Sequence, residues 1–229
     1  SFDLCGRGRF CPLAIGADTS EVMFTSSGTE ANNHALKSTV FEAVKNGKRL
    51  ENLSLLTSQA EHHAILEPVH FFESLGVNAD ILTVSGNGSV DLESINNSPS
   101  KNITFASFML VNNEVGVINP IKELALAIKN ISPDSILHSD AVQALGKMEV
   151  DVRELGVDLL SLSAHKIHGP KGIGALFIRR GIKIEPLHHG GAQERNRRGG
   201  TENVALAVGF GEAAREMMSL KDESGKYIG

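Results

Sequence analysis

Two patterns of hydrophobic and polar positions take turns along the chain. Short apolar runs, bounded by small or polar residues, occupy 21–25, 53–57, 77–84, 103–111, 136–138, 157–163 and 174–178. Most are near-continuous rather than strictly alternating, which predicts strands buried on both faces. Between them apolar residues recur at helical spacing: Leu36, Val40 and Val44, then Ile65, Val69 and Phe72, then Leu124, Ile128 and Ile131. The second of these helices is expected to stop at Gly76, because glycine accepts the left-handed conformation that ends a helix. Pro120 opens the third at a favoured first-turn position. A turn around Gly86-Asn87-Gly88 separates two of the strands, and no repeat, low-complexity tract or linker interrupts the series. Strands alternating with helices predict an α/β fold, a mostly parallel sheet flanked by helices on both faces.

Composition narrows the class. The 229 residues are 41% hydrophobic and 21% charged, with a formal net charge of −5. A chain of this size buries roughly 70–75% of its unfolded surface. That excludes a disordered polymer, a collagen-like chain and a small disulfide-stapled scaffold. The mildly acidic balance offers no footprint for nucleic acid or an anionic membrane surface, so neither is expected as a partner. No apolar run approaches the roughly 18 residues of a membrane span, and the first residues lack the apolar segment of a signal peptide. Twenty-three glycines against ten Phe, one Tyr and no Trp point to tight turns rather than aromatic platforms. The only cysteines, Cys5 and Cys11, lie in a spacing that fits no common redox or zinc motif. Such sparse usage argues for a reducing compartment.

In open parallel sheets ligands bind beyond the carboxyl ends of the strands. The residues there are Ser26-Ser27-Gly28-Thr29, Ala60-Glu61-His62-His63, Asn112-Asn113-Glu114, Ser139-Asp140-Ala141-Val142-Gln143 and Ser163-Ala164-His165-Lys166. The first is a small-residue turn between strand and helix. It either caps the helix in the ordinary way or cradles an anion with its N–H groups and hydroxyls. It is not a Walker loop, since no Gly-Lys-Ser/Thr follows, and it lacks the three-glycine dinucleotide fingerprint. A buried Asp140 needs a cationic or N–H partner; either it caps the following short helix or it pairs with a protonated pyridine nitrogen. Lys166 is either a surface lysine or, desolvated beside a pocket, the amine of a Schiff base. Together, an anion cradle, a strand-end Asp, a strand-end Lys and a stacking-capable His62 match the phosphate, ring nitrogen, aldehyde and ring face of pyridoxal phosphate. The His62-His63 and His188-His189 pairs point in diverging directions and predict no metal site. Arg195, Arg197 and Arg198 are expected to be solvated or paired with Glu194 and Glu202.

Several of these stretches resemble one family. They are Phe24-Thr25-Ser26-Ser27-Gly28-Thr29-Glu30-Ala31-Asn32-Asn33, Val111-Asn112-Asn113-Glu114-Val115-Gly116, His138-Ser139-Asp140-Ala141-Val142-Gln143-Ala144-Leu145-Gly146-Lys147 and Ser163-Ala164-His165-Lys166-Ile167-His168-Gly169-Pro170-Lys171-Gly172. Gly190-Gly191-Ala192-Gln193-Glu194-Arg195 and Gly200-Thr201-Glu202-Asn203 continue the match in order. The chain resembles the cysteine desulfurase and selenocysteine lyase family, in the class V branch of fold-type I pyridoxal phosphate enzymes. The resemblance runs from about 16 to about 217. It implies the three-layer α/β/α large domain of those enzymes. Lys166 and His62 would then be the catalytic residues, Lys166 holding the cofactor's aldehyde and His62 stacking on its ring. Asp140 would hold the pyridinium nitrogen and Gln143 the phenolic oxygen. Gly28, Thr29, Ser163 and His165 would hold the phosphate, with Asn113 near cofactor and substrate. Thr201 would reach the phosphate of the partner subunit in a homodimer. L-Cysteine would lose its sulfur to a cysteine thiolate, giving alanine and an enzyme persulfide for a sulfur-acceptor protein, and so for iron–sulfur clusters or thio-cofactors.

The resemblance also implies a division of the chain. Residues 1–15 would be an atypical or truncated N-terminal segment, 16–217 the cofactor-binding large domain, and 218–229 the start of a further segment. The family's persulfide cysteine and its carboxylate-binding arginine have no counterpart here, and Cys5 and Cys11 do not map to that cysteine. The expectation is a chain truncated at both ends, cytoplasmic, with a mitochondrial location left open. Two alternatives stand beside a desulfurase: a cofactor-binding fragment or paralogue that acts through a partner subunit, and a selenocysteine lyase.

Overall fold

The computed structural model describes residues 10–98, 100 and 102–220. Its helices are α1 (Phe10–Leu13), α2 (Gly28–Lys45), α3 (His63–Ser74), α4 (Leu92–Asn96), α5 (Ile121–Ile131), α6 (Val152–Leu155), α7 (Gln193–Asn196) and α8 (Val204–Ser219). The strands are β1 (Val22–Thr25), β2 (Ser54–Ser58), β3 (Asn78–Leu82), β4 (Phe105–Ser107), β5 (Ile136–Asp140), β6 (Leu159–Ser163) and β7 (Gly174–Ile178). They form one seven-stranded sheet in the order β1-β7-β6-β5-β4-β2-β3. Neighbours from β6 through β3 are parallel, and β7 runs antiparallel to both β6 and β1. β1 therefore points the same way as the parallel strands, and its exit loop reaches the same edge as theirs. The expected fold class is the one observed, a mostly parallel sheet between helices.

Side chains alternate between two buried clusters, one on each face of the sheet. On one face Met23, Leu55, Phe105, Leu159 and Leu176 pack with Ala31, Leu36 and Val40 of α2 and Ile65, Val69 and Phe72 of α3. On the other, Leu56, Ala106, Leu137, Leu160 and Phe177 meet Leu124 and Ile128 of α5 and Phe210, Ala214 and Met217 of α8. Full burial of β2, β6 and β7 explains why they read as continuous apolar runs.

Helix ends follow local chemistry. Ser27 caps α2 by accepting from Glu30 N–H, and Glu30 reaches back to accept from Ser26 N–H. Beyond α3, Gly76 adopts φ +92°, the left-handed conformation expected of it. Pro120 stands one residue earlier than a first-turn proline, at the N-cap of α5. Two other expectations change in extent. The 103–111 run is a strand only over β4: Leu110 N still donates to Asp140 O, but the segment from Met109 to Val111 turns to residues 117–119. Val84 bridges back to Val90 instead of prolonging β3. The helical spacing at 36, 40 and 44 also ends early in the core: Leu36 and Val40 are buried, whereas Val44 is exposed.

Candidate active site

Five strand exits, those of β1, β2, β4, β5 and β6, lie at one edge of the sheet, and close backbone approach sets the spacing of three of them. A Cβ on Gly174, the first residue of β7, would lie 2.5 Å from the Ser27 carbonyl carbon and 2.8 Å from Leu162 O. Only a glycine there lets the loop after β1 settle against β6. A Cβ on Gly28 would lie 2.8 Å from Val142 Cγ2 and 3.4 Å from Ser163 Cβ. The start of α2, the turn after β5 and the end of β6 thus pack against one another at one spot. Ser163 is buried there, its hydroxyl 2.8 Å from His165 Nδ1. Burial, then the charges of Lys166 and Lys171, hold His165 below its ordinary value, which favours the neutral imidazole. Thr29, in the first turn of α2, is exposed at the same place.

Asp140 ends β5 and is buried. Its Oδ2 accepts from Asn32 Nδ2 at 2.6 Å and its Oδ1 from Val142 N at 2.9 Å. Both donors are neutral, and among the described residues no cation forms an ion pair with it. Burial raises its pKa, against the pull of those two donors and of the His62 and Lys166 charges. Lys166 sits on a short 3-10 turn, Ala164–Ile167, directly after β6. Its side chain is exposed, and none of the described hydrogen bonds or ion pairs engages it. His62 caps α3, its Nδ1 accepting from Ala64 N at 3.0 Å, so Nε2 carries the proton of the neutral ring. Gln143 follows Asp140 by three residues and accepts from Lys147 Nζ at 2.8 Å.

The structure brings Gly28, Thr29, Asp140, Gln143, Ser163, His165 and Lys166 to one edge, with His62 close enough to act electrostatically on Asp140. Asn113 lies on the loop after β4, whose Asn112 donates to Ala60 O at 2.9 Å, next to the His62 segment. Thr201 is exposed, and none of the described hydrogen bonds joins it to the other edge residues. Its loop is anchored by Arg198, which donates to Glu30 Oε1 at 2.5 Å. Despite burial, Arg198 and Ser26 hold Glu30 below the ordinary carboxyl range. Of the two expectations for the arginines, solvation holds for the exposed Arg195, whereas none of the described ion pairs joins them to Glu194 or Glu202: Arg197 donates to Ser20 O and Arg195 to Val22 O.

Asn32 and Glu61 stand within the sequence motifs but carried no predicted role. Asn32 lies on the buried stripe of α2 beside Ala31, Ala35 and Leu36, and a polar residue inside an apolar stripe signals a buried partner. Glu61, also buried, accepts from Met109 N at 2.6 Å. Cys11 belongs to the core beneath α8, and burial pushes its thiol up to about 12. It is no nucleophile. Cys5 lies outside the described residues. Among those residues no helix is long and apolar enough to cross a membrane, and no three His, Cys, Asp or Glu side chains gather as for a metal.

With that geometry in view, the chain can be set against known proteins. Residues 13–225 match the family model of the aminotransferase class-V proteins. A cysteine desulfurase IscS from Dictyoglomus turgidum is 50% identical over 200 residues, covering 87% of this chain and 49% of the relative. Among solved structures, a NifS-like protein superposes with a TM-score of 0.87 at 35% identity, over 94% of this chain and 58% of its own. SspA in complex with cysteine gives 0.85 at 33%, over 96% and 63%. The chain spans about half the length of the curated relatives it matches.

Proposed function

The chain belongs to the aminotransferase class-V family, and we propose that it supplies the cofactor-binding machinery of a pyridoxal phosphate-dependent cysteine desulfurase. The observation that carries this reading is Asp140: a buried carboxyl held by neutral donors alone, at the edge where the start of α2, Val142 and Ser163 come into contact. Such a carboxyl suits a cationic ring nitrogen, and the N–H groups at the start of α2, with the Ser163 hydroxyl beside them, suit a phosphate. The residues present fit the cofactor.

In this reading Asp140 holds the pyridinium nitrogen, and Asn32 and Val142 N–H keep its carboxyl oriented. Gly28, Thr29, Ser163 and His165 hold the phosphate, Gln143 the phenolic oxygen, and His62 the ring face. Lys166 Nζ holds the aldehyde end. When bound, pyridoxal phosphate supplies an electron sink for the bonding pair released at the substrate's α-carbon. Lys166, free of other partners, then holds or moves a proton at Nζ, and His62 does so at Nε2. Asn113 lies on the loop beside them, toward substrate. L-Cysteine is the substrate that the desulfurase relatives and the cysteine-bound SspA structure favour. Cys11 is not assigned the sulfur-accepting role, since its thiol is buried and protonated. The exposed Thr201 reaches a second copy in a homodimer, and the sulfur passes on to an acceptor protein in a reducing, cytoplasmic setting.

The test is direct. The chain mixed with pyridoxal phosphate should develop the visible absorbance of the lysine-bound cofactor, and Lys166→Ala should abolish it while leaving the melting midpoint nearly unchanged, because Lys166 is exposed and unpartnered. A spectrum that survives the substitution sinks the assignment.

A further inference from the structure

Two carboxyl groups are buried at the strand exits, Asp140 and Glu61, and the chemistry above employs only the first. Glu61 follows β2 and immediately precedes His62. Its Oε1 accepts from Met109 N at 2.6 Å, while its Oε2 is enclosed with the side chain of Ser58 as its neighbour. A second bond runs alongside: Asn112 Nδ2 donates to Ala60 O at 2.9 Å. The other end of the same amide, Asn112 Oδ1, accepts from Glu114 N and Val115 N, each at 2.9 Å. Successive residues of the His62 loop are thereby tied to both ends of the segment 109–112, and Asn112 shapes the turn that displays Asn113. Glu61 and Asn112 are both buried, so water does not compete for these bonds.

We propose that Glu61 is a positioning residue, whose buried carboxyl clasps the His62 loop to the Asn113 loop through Met109 N–H and presents both side chains from one rigid unit beside Asp140. Its role rests on the cofactor reading of the Asp140 site. Burial, reinforced by the nearby Asp140 charge, raises the Glu61 carboxyl well above its ordinary range, against the pull of Met109 N–H and Ser58, and so favours the neutral acid. In that form one oxygen still accepts from Met109 N–H, and the other carries a proton with Ser58 as the adjacent hydroxyl. Neutrality serves the neighbour too. An ionised Glu61 would add a second anion beside Asp140, whose single charge suffices for a single cationic ring nitrogen.

A glutamine reproduces the neutral acid: it keeps the acceptor and places an N–H donor where the proton sits. A leucine fills the volume but orphans Met109 N–H. Glu61→Gln should therefore behave as the unaltered chain. Glu61→Leu should speed hydrogen exchange of the amides at 109–115 by about tenfold or more in the cofactor-free protein. It should also weaken pyridoxal phosphate binding, read by visible absorbance, by about tenfold. Unchanged protection in β5 and β6 would show that the leucine variant is folded. Should that variant fail to fold, Asn112→Ala opens the clasp from its other side and should give the same pair of changes. Exchange at 109–115 unaffected by Glu61→Leu overturns the proposal, as does faster exchange with unaltered cofactor affinity. A glutamine variant as impaired as the leucine one overturns it as well. If none of the proteins, unaltered chain included, binds pyridoxal phosphate while the exchange difference stands, the clasp holds and the cofactor reading falls.

Discussion

Two buried aspartates, one at each end of the parallel sheet, show how differently the same side chain is treated. Asp158 precedes β6 at the amino edge. Lys129 Nζ donates to it at 2.9 Å, Leu137 N at 3.0 Å, and Arg179 Nε stands 4.0 Å away. Its charge is neutralised by the fold itself. Asp140, at the carboxyl edge, has two neutral donors and no ion pair among the described residues, and burial raises its pKa. The nearby lysine, Lys166, acts on it only through space. A carboxylate that evolution merely needed to bury would look like Asp158. One whose compensation is left to a ligand looks like Asp140.

The sharpest way to break this contrast is to neutralise each in turn. Asp140→Asn should leave the cofactor-free chain within about 1 kcal/mol of its original stability. For an acid whose folded pKa is raised, the charged form is the disfavoured one, so above that pKa the substitution removes a cost. Asn32 can also adapt, because its Oδ1 is unpartnered and turning the amide over presents an acceptor to the new N–H₂. Pyridoxal phosphate affinity should nevertheless fall by about a hundredfold or more, the loss of a desolvated charge pair. Asp158→Asn should reverse both effects. It removes the counter-charge of Lys129 and Arg179, leaving them only backbone carbonyl acceptors, and should cost about 1–3 kcal/mol in denaturant midpoint, with cofactor affinity unchanged. Equal behaviour of the two variants would erase the distinction.

A smaller effect sharpens the contrast within the carboxyl edge. Gly174 and Gly28 both lack room for a methyl, but the obstacles differ. At Gly174 it is the backbone of Ser27 and Leu162; at Gly28 it is the tip of Val142. Gly174→Ala should destabilise the fold by about 2–3 kcal/mol, since a packed backbone cannot yield. Gly28→Ala should cost under about 1 kcal/mol, because Val142 is half-exposed and alanine suits a helix start. It should instead weaken pyridoxal phosphate binding by about tenfold by pushing Val142, next to Asp140 and Gln143, away from the start of α2. Thermal melts and absorbance titrations of both variants separate the two uses of glycine.

Much of this was legible in the sequence because the strands, buried on both faces, are apolar throughout and their exits are polar. Asp140, Lys166 and Ser163 could be picked out as residues on which apolar runs end. Partners were harder. Asn32 and Asp140 are 108 positions apart, and nothing local in either segment specifies the other. The reversal of β7 left a readable trace that periodicity alone misses: too few residues separate Ser163 from Gly174 for a crossover helix, so the strands must be antiparallel. β4 shortened for a tertiary reason, since Glu61 and Asn119 capture the backbone of Met109 that the apolar pattern would have kept in the sheet.

Between the two ends lies His138, and it supplies the mildest test. It is buried in the middle of the sheet, with Ser107 Oγ 2.8 Å from Nδ1 and Ser161 Oγ 2.9 Å from Nε2. Burial drives its pKa down to about 3, so the fold holds it neutral. The unfolded chain binds a proton at an ordinary histidine value that the folded chain refuses. Its contribution to stability is therefore complete above about pH 6.5 and is lost as pH falls toward the folded value. Between about pH 7.5 and about pH 5.5 that loss comes to about 1.4 kcal/mol. His34, lowered to about 4 by burial, acts in the same direction, whereas Glu61, Asp140 and Glu194, all raised, act in the opposite one. Those groups are shared by the unaltered chain and a His138→Gln variant, so the difference between the two isolates His138. Glutamine retains a donor and an acceptor for the two serines but does not titrate. Urea midpoints at the two pH values should show the variant losing about 1.4 kcal/mol less than the unaltered chain on acidification. Parallel curves would mean that His138 takes up its proton inside the fold, and that the centre of the sheet is as tolerant of charge as its carboxyl edge.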